Sequence, residues 1–104
     1  MIVNVGSRVT YRYIESNTTQ YDRKILSTNE SNTIRANKKM WMVLGGKDKK
    51  EFEVNNKTKF ELDEIAEDSA LGVAIIGLGV GGVGDMILPS TQGGIHKVEI
   101  IEIK

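Results

Sequence analysis

Closely spaced glycines in the last third of the chain limit what this part can fold into. The segment 77–82 satisfies G-x-G-x-x-G after the apolar run 73–76, the spacing that lets backbone amides approach a pyrophosphate at the start of a helix. That motif functions only inside a βαβ unit. Here Gly84, Pro89 and the glycine pair 93–94 follow, so no helix longer than one turn can form. We therefore expect a connecting loop and no nucleotide site.

Length and charge indicate a small single domain. The chain has 104 residues, 39% of them hydrophobic, enough for one modest core. Its 14 basic and 14 acidic residues cancel, so there is no overall attraction to nucleic acid or to an acidic membrane. The basic residues concentrate in 35–59 (eight against three acidic), and 61–68 carries five acidic residues and no basic one. We interpret both runs as solvated faces and expect no direct nucleic-acid binding.

The residues that would carry catalysis or bind a cofactor are sparse. The absence of cysteine excludes disulfides, thiolate metal sites and cysteine nucleophiles. His96 is the only histidine, and the acidic run 61–68 lacks the spacing that wraps calcium. No segment reads as a secretion signal, and no apolar run approaches the length of a membrane span. We expect a cytoplasmic protein that is not an enzyme and needs no metal or cofactor.

Alternating apolar and polar residues predict two hairpins in the first half. Segment 7–14 reads as a half-buried strand, and 20–27 as its partner after a polar turn. The polar segment 28–33 is interpreted as a loop. The runs 39–44 and 51–54 suggest a second hairpin.

Segment 68–76 is predicted to be a short helix. Asp68 or Ser69 can accept hydrogen bonds from the free amides of its first turn, and Gly77 can stop it. Leu71, Ala74, Ile75 and Leu78 then form one apolar stripe. The segment 95–103 alternates as an antiparallel strand. The predicted fold class is α+β, a mostly antiparallel β-sheet with one short helix packed on it.

Short blocks through 68–104 occur in a recognisable order. They are Ser69, Leu71, Gly72 and 74–77; then Val83, Gly84 and Asp85; then 86–89; then glycines 93 and 94; then 98–103. Together they resemble the C-terminal domain of the bacterial Gre transcript-cleavage factors (GreA/GreB) and related regulators of the nucleoside diphosphate kinase regulator type. A weaker match covers 5–26, beginning with a V-G-S-x-V-x strand. The family pattern is S-P-L-G-x-A-L-L-G, V-G-D, P-x-G-G and a closing E-I-x-x-I.

The resemblance implies an FKBP-like fold that docks on the rim of the RNA polymerase secondary channel. It places the residues that face the polymerase at the start of the helix, namely Asp68, Ser69, Ala70 and Leu71. For Asp68 and Ser69, simple helix capping is an equal alternative. The family's hydrolytic activity depends on acidic residues of an N-terminal coiled coil that has no counterpart in this sequence. We therefore expect a non-catalytic domain that could compete with cleavage factors.

Departures from the family pattern keep other functions open. Ala70 stands where the family has proline, the glycine loop is longer, and 28–65 is a divergent insert within a single domain, 1–104. The alternatives are a structural or oligomeric FKBP-fold module whose other partner binds the insert, and a prolyl isomerase. The prolyl isomerase alternative has little support, because that family lines its pocket with aromatic side chains and this chain has only six aromatic residues. The single tryptophan, Trp41, also lies outside the helix-entry sequence in which that family places one. Oligomerisation through Met40, Trp41 and Met42 on an edge strand is a further alternative.

Overall fold

The structure is a computed structural model, and it describes residues 1–16, 19–89 and 93–104. Eight regular elements follow one another in these residues: β1 (Arg8–Tyr13), β2 (Tyr21–Leu26), α1 (Thr28–Val43), α2 (Gly46–Asn55), β3 (Glu64–Ala66), α3 (Ala70–Ile75), β4 (Val83–Ile87) and β5 (Ile95–Ile103). The strands form one sheet in the order β3-β2-β1-β5-β4.

The first predicted hairpin is confirmed. β1 and β2 pair antiparallel, from Arg8 opposite Lys24 to Tyr11 opposite Tyr21. The alternation read from the sequence matches burial, because the side chains of Val9 and Tyr11 are buried whereas Arg8 and Thr10 are only partly covered. The last strand, β5, pairs antiparallel with both β1 and β4. The short β3 adds a parallel edge to β2, so the sheet is mostly antiparallel and the α+β class is confirmed.

Helix α3 covers one face of this sheet and closes the core. The side chain of Ile75 is completely buried, and Leu71 is 8% exposed. Ala74 and Leu78 pack against the same cluster, which confirms the predicted apolar stripe. The buried cluster comprises Val3, Val9, Tyr11, Ile25, Leu71, Ile75, Met86, Val98, Ile100 and Ile103. The helix that packs on the sheet is therefore the predicted one.

The glycine run after α3 connects this helix to β4. Gly77 and Gly81 have φ values of 89° and 84°, in the left-handed region that glycine adopts without a steric penalty. The Gly81 amide donates to the Ile100 carbonyl at 2.8 Å, and the chain then enters β4. A strand follows the glycines, where a dinucleotide site would require a helix. The prediction of a connecting loop is confirmed.

The prediction of a second hairpin in 39–54 is wrong. Segment 28–43 forms the long helix α1, so neither the predicted loop at 28–33 nor the strand at 39–44 exists. The predicted strand 51–54 lies inside α2. The divergent insert is thus a pair of helices followed by an irregular segment that leads into β3. Trp41 and its methionine neighbours consequently lie on a helix, not on an edge strand.

A start signal for α1 was present in the sequence. The Ser27 hydroxyl accepts from the Glu30 amide at 3.0 Å and lies 3.4 Å from a Glu30 carboxylate oxygen, an S-x-x-E arrangement typical of helix N-termini. The Glu67 carboxylate accepts from the Thr28 amide at 2.8 Å. This second contact comes from a residue far along the chain, so it could not be inferred from the local pattern.

We expect Gly84→Ala to destabilise the fold strongly. A Cβ at Gly84 would collide with the Ala74 carbonyl oxygen of α3, which is backbone and cannot rotate away. We predict a loss of about 3 kcal/mol in the free energy of unfolding, the upper end for overpacking, measured by urea denaturation. Gly45→Ala is the control because a Cβ there meets nothing within 4 Å; it should cost less than about 1 kcal/mol. Equal stability of both variants would contradict the close contact.

Candidate protein-docking surface

The turn between β3 and α3 is fixed by the Ser69 side chain. Its hydroxyl donates to the Ala66 carbonyl at 2.7 Å and accepts from the Gly72 amide at 3.0 Å. The Ser69 amide also donates to the Ala66 carbonyl at 3.1 Å. Ser69 is therefore the N-cap of α3, and these bonds fix the direction in which the start of the helix faces solvent.

Asp68 lies on the exposed surface just before this cap and pairs with the insert. Its two carboxylate oxygens lie 3.3 and 3.4 Å from the guanidinium of Arg35 on α1. The Asp68 and Arg35 side chains are 43% and 44% exposed. An ion pair so open to solvent contributes little to stability, typically below about 1 kcal/mol. The pair lies where α1 meets the start of α3, and it offsets the negative charge there.

A depression of about 310 Å³ lies beside the Asp68–Arg35 pair. It is lined by Arg35, Phe60, Glu64, Ile65, Ala66 and Ser69. The Arg35 guanidinium lies 5.7 Å from the centre of the Phe60 ring, within the range of a cation–π contact. The depression therefore combines apolar side chains of β3 with a cationic and an aromatic side chain from the insert, an arrangement suited to contact with a protein side chain.

Glu64 forms the best-covered ion pair near this depression. Its carboxylate is 10% exposed and accepts two hydrogen bonds of 2.7 Å from the Lys57 ammonium. It also accepts from the Glu61 amide at 2.9 Å. Burial alone raises the pKa of Glu64, but the bonds from Lys57 and Glu61 outweigh it and the pKa falls below its usual 4.5. This pair ties the end of the insert to β3.

The four residues predicted to face a partner have different surroundings. Asp68 and Ala70 are exposed, whereas Ser69 is partly buried and its hydroxyl is used in the cap. The side chain of Leu71 points into the core. The structure therefore brings Asp68 and Ala70 to the surface and gives Ser69 and Leu71 structural roles. Whether these residues contact a partner stays a prediction.

Arg35 and Phe60 were not among the predicted site residues. They precede Asp68 by 33 and 8 positions, and only the fold of the insert brings them to the start of α3. The sequence contained one indirect signal of this contact, since the basic run 35–59 and the acidic run 61–68 carry opposite charges and would attract each other. That signal did not indicate which basic residue pairs with which acidic one.

A second depression of about 310 Å³ lies on the α3-facing side of the sheet. It is lined by Tyr13, Glu15, Ser16, Met86, Leu88 and His96. The His96 Nδ1 atom lies 3.0 Å from a Glu15 carboxylate oxygen. Tyr11, Tyr13 and Tyr21 cluster nearby with ring centres 5.5 to 5.9 Å apart, and burial raises the pKa of Tyr11 to about 12. Trp41 lies on α1 and takes no part in lining this depression.

The described part of the chain holds neither a metal-binding cluster of side chains nor a helix that could span a membrane. Within residues 1–16, 19–89 and 93–104, no three acidic or histidine side chains cluster closely enough to hold a metal ion. None of the helices in these same ranges combines the length and apolar character that a bilayer crossing requires.

Comparison with known proteins gives a match in structure but not in sequence. No protein-family model matches the chain, and no curated protein sequence matches it significantly. The fold is similar to that of a solved structure, the prokaryotic transcription elongation factor GreA/GreB from Nitrosomonas europaea, with a TM-score of 0.52 and 16% sequence identity. The match covers 99% of this chain and 60% of the elongation factor. The resemblance predicted from the sequence is thus confirmed at the level of the fold.

We predict that Ser69, not Asp68, carries the stability of the α3 start. Ser69→Ala removes the hydroxyl that accepts from Gly72 and donates to Ala66, so it should cost about 1 to 2 kcal/mol in the free energy of unfolding. Asp68→Ala removes an exposed ion pair and should cost less than about 1 kcal/mol. Thermal and urea denaturation of the two variants would check this, and the reverse order would contradict the assigned cap.

We also predict that the Lys57–Glu64 pair loses its stabilising effect in acid. The lowered pKa of Glu64 means that its contribution is fully present above the usual value of 4.5 and is lost as pH falls through the lower folded value. The difference in unfolding free energy between wild type and Lys57→Met should therefore shrink between about pH 5 and pH 3. The control is Lys97→Met, whose ion pair with Asp85 is half exposed. A difference independent of pH would contradict the assignment.

Proposed function

We propose that this chain is a non-catalytic domain that docks on RNA polymerase through the start of α3. The observation that carries the proposal is the fold shared with a transcription elongation factor. Asp68 and Ala70 supply the exposed part of the surface that the Gre resemblance assigns to polymerase contact. The domain would act by occupying that docking position, with no bond made or broken by its own side chains.

Support for a binding role comes from the character of the surface itself. The depression beside Asp68 is lined by apolar residues of β3 and by charged residues of α1 and β3. Exposed charges of this kind guide the diffusional encounter of two proteins and fix how they align, whereas a central apolar contact supplies most of the binding affinity. A partner would have to compete with Arg35 for the Asp68 carboxylate or accept the pair as a unit.

Equilibrium binding to core RNA polymerase tests this proposal. The wild-type chain should bind saturably in biolayer interferometry, and Asp68→Lys should weaken binding about tenfold because it reverses a charge at the docking surface. Asp85→Lys is the matched control, since Asp85 is also an exposed, ion-paired carboxylate but lies on β4. No binding at tens of micromolar by folded protein, or equal effects of the two substitutions, would reject the proposal.

Competition gives a second test of the same proposal. If the domain occupies the position used by cleavage factors, adding it to stalled elongation complexes should slow factor-stimulated transcript cleavage. Asp68→Lys should have a correspondingly weaker effect at the same concentration. Unchanged cleavage at saturating concentrations of a chain that binds polymerase would mean that it binds elsewhere.

A second candidate function is a module whose partner binds the insert. The observation that favours it is the radius of gyration, 16.1 Å, against about 13 Å expected for a compact domain of this length. The excess indicates that part of the chain extends away from the packed body. The two candidate surfaces meet at Arg35, which belongs to the insert, pairs with Asp68 and lines the depression at the start of α3.

A further inference from the structure

In the described part of the chain, three ion pairs join basic side chains to the acidic run 61–68. They are Arg8–Asp63, Lys57–Glu64 and Arg35–Asp68. The nearest atoms of the first two pairs lie 2.9 and 2.7 Å apart, the usual length of a charge-assisted hydrogen bond. Those of Arg35 and Asp68 lie 3.3 Å apart, and both side chains are more than two-fifths exposed. This pair is therefore the loosest of the three.

Arg35 is held in place by contacts that do not involve Asp68. One of its terminal nitrogens donates to the Asn32 side-chain oxygen at 3.0 Å. Its guanidinium also lies 5.7 Å from the centre of the Phe60 ring, a distance at which a cation is attracted to an aromatic ring. Arg35 therefore keeps favourable contacts when Asp68 binds another group.

The insert also stays attached to the body when this pair opens. The Glu67 carboxylate accepts from the Thr28 amide at the first residue of α1, at 2.8 Å. Beyond α2, Lys57 binds Glu64 of β3 at 2.7 Å. The two ends of the helical pair are thus held independently of Asp68, and release of Asp68 costs one exposed ion pair.

The position in which a partner would meet the Asp68 carboxylate already holds a guanidinium, that of Arg35. A carboxylate only accepts hydrogen bonds, so the group that replaces Arg35 has to be a donor. An acidic group would be repelled by Asp68, and an apolar group would leave the carboxylate covered and unpaired, which is costly. A basic side chain avoids both penalties.

We propose that Arg35 is an internal competitor of the partner, and that docking replaces the Asp68–Arg35 pair by a pair between Asp68 and a basic side chain of the partner. This inference rests on the proposed docking function and adds the chemistry of the partner's group and a role for the insert. The insert lowers the affinity of the docking surface and disfavours proteins that do not supply the cation. Because the pair is exposed, the effect on affinity is only a few-fold.

Binding of Arg35→Met to core RNA polymerase in biolayer interferometry tests the competition. This variant removes the charge but keeps an unbranched apolar side chain, and its dissociation constant should be about three- to fivefold lower than that of wild type. Lys97→Met is the matched control, because it also removes one positive charge and frees an exposed carboxylate, that of Asp85 on β4. The control should bind as wild type does, and so should Arg35→Lys, which keeps the charge.

A double variant and added salt separate competition from a structural role of Arg35. In an Asp68→Asn background, Arg35→Met should leave the affinity unchanged, because the pair to be broken no longer exists. The gain from Arg35→Met should also shrink as ionic strength rises from about 50 mM to about 500 mM, since salt screens exposed pairs. A purely structural effect of Arg35 would depend on neither Asp68 nor salt.

Nuclear magnetic resonance of the free chain checks the ion pair without polymerase. The Nε–Hε signal of Arg35 should move in Asp68→Asn and stay in place in Asp85→Asn. An Arg35 signal that ignores the Asp68 substitution would show that the pair is not formed in solution, and would overturn the inference.

The binding results distinguish failure of the competition from failure of docking. Equal affinity of wild type and Arg35→Met for polymerase would reject the competition alone. Weaker binding of Arg35→Met would mean that the partner contacts Arg35 itself, which also contradicts the inference. Binding by Arg35→Met but not by wild type would support it. Absence of binding by both folded chains would reject polymerase docking and, with it, the proposed replacement.

Discussion

The direct contact between the backbone of α3 and the sheet governs the arrangement of the domain. Gly84 on β4 has no side chain, so the Ala74 carbonyl of α3 lies where a Cβ would be. A Cβ on Gly72 of α3 would likewise collide with the Ala66 carbonyl oxygen at the end of β3. At this separation Leu71 and Ile75 reach the buried cluster even though the helix has only six residues. A larger residue at either glycine would lift the helix and expose that core.

These two glycines also show that the sequence resemblance to the Gre factors reflects the packing of the fold. Gly72 and Gly84 belong to the first two of the five blocks that carry the Gre-like pattern, and Ser69 of the first block caps α3. The matching residues are therefore those that let a short helix approach a sheet. Agreement at such positions is a statement about fold, which is also the level at which the solved elongation factor is similar. The function proposed above depends on residues that the packing leaves exposed, chiefly Asp68 and Ala70.

The insert is attached to the body at the same place as the start of α3. The Glu67 carboxylate binds the first amide of α1, Asp68 pairs with Arg35, and Lys57 pairs with Glu64. All three acidic residues lie in the run 61–68, so the acidic segment holds both ends of the insert through polar contacts. The proposed docking surface and the helical pair α1–α2 are consequently neighbours.

Local patterns in the sequence determined the elements that make up the body. Alternation predicted β1, β2 and β5, and the cap, apolar stripe and glycine stop predicted α3, because each of these signals lies within a few residues along the chain. The same reasoning failed for 28–54. There the short apolar runs suggested strands, whereas the S-x-x-E start signal at Ser27 and Glu30 favoured a helix.

Only the tertiary structure decided which side chains come together at the surface and which are buried. Arg35 meets Asp68 across 33 residues, β3 joins β2 in parallel, and Leu71 faces inward where the resemblance had suggested a contact. Each of these results depends on contacts between segments distant along the chain, whose energies a local pattern does not contain. The sequence by itself therefore determined the short helix and the main strands, and only their packing decided which side chains remain available to a partner.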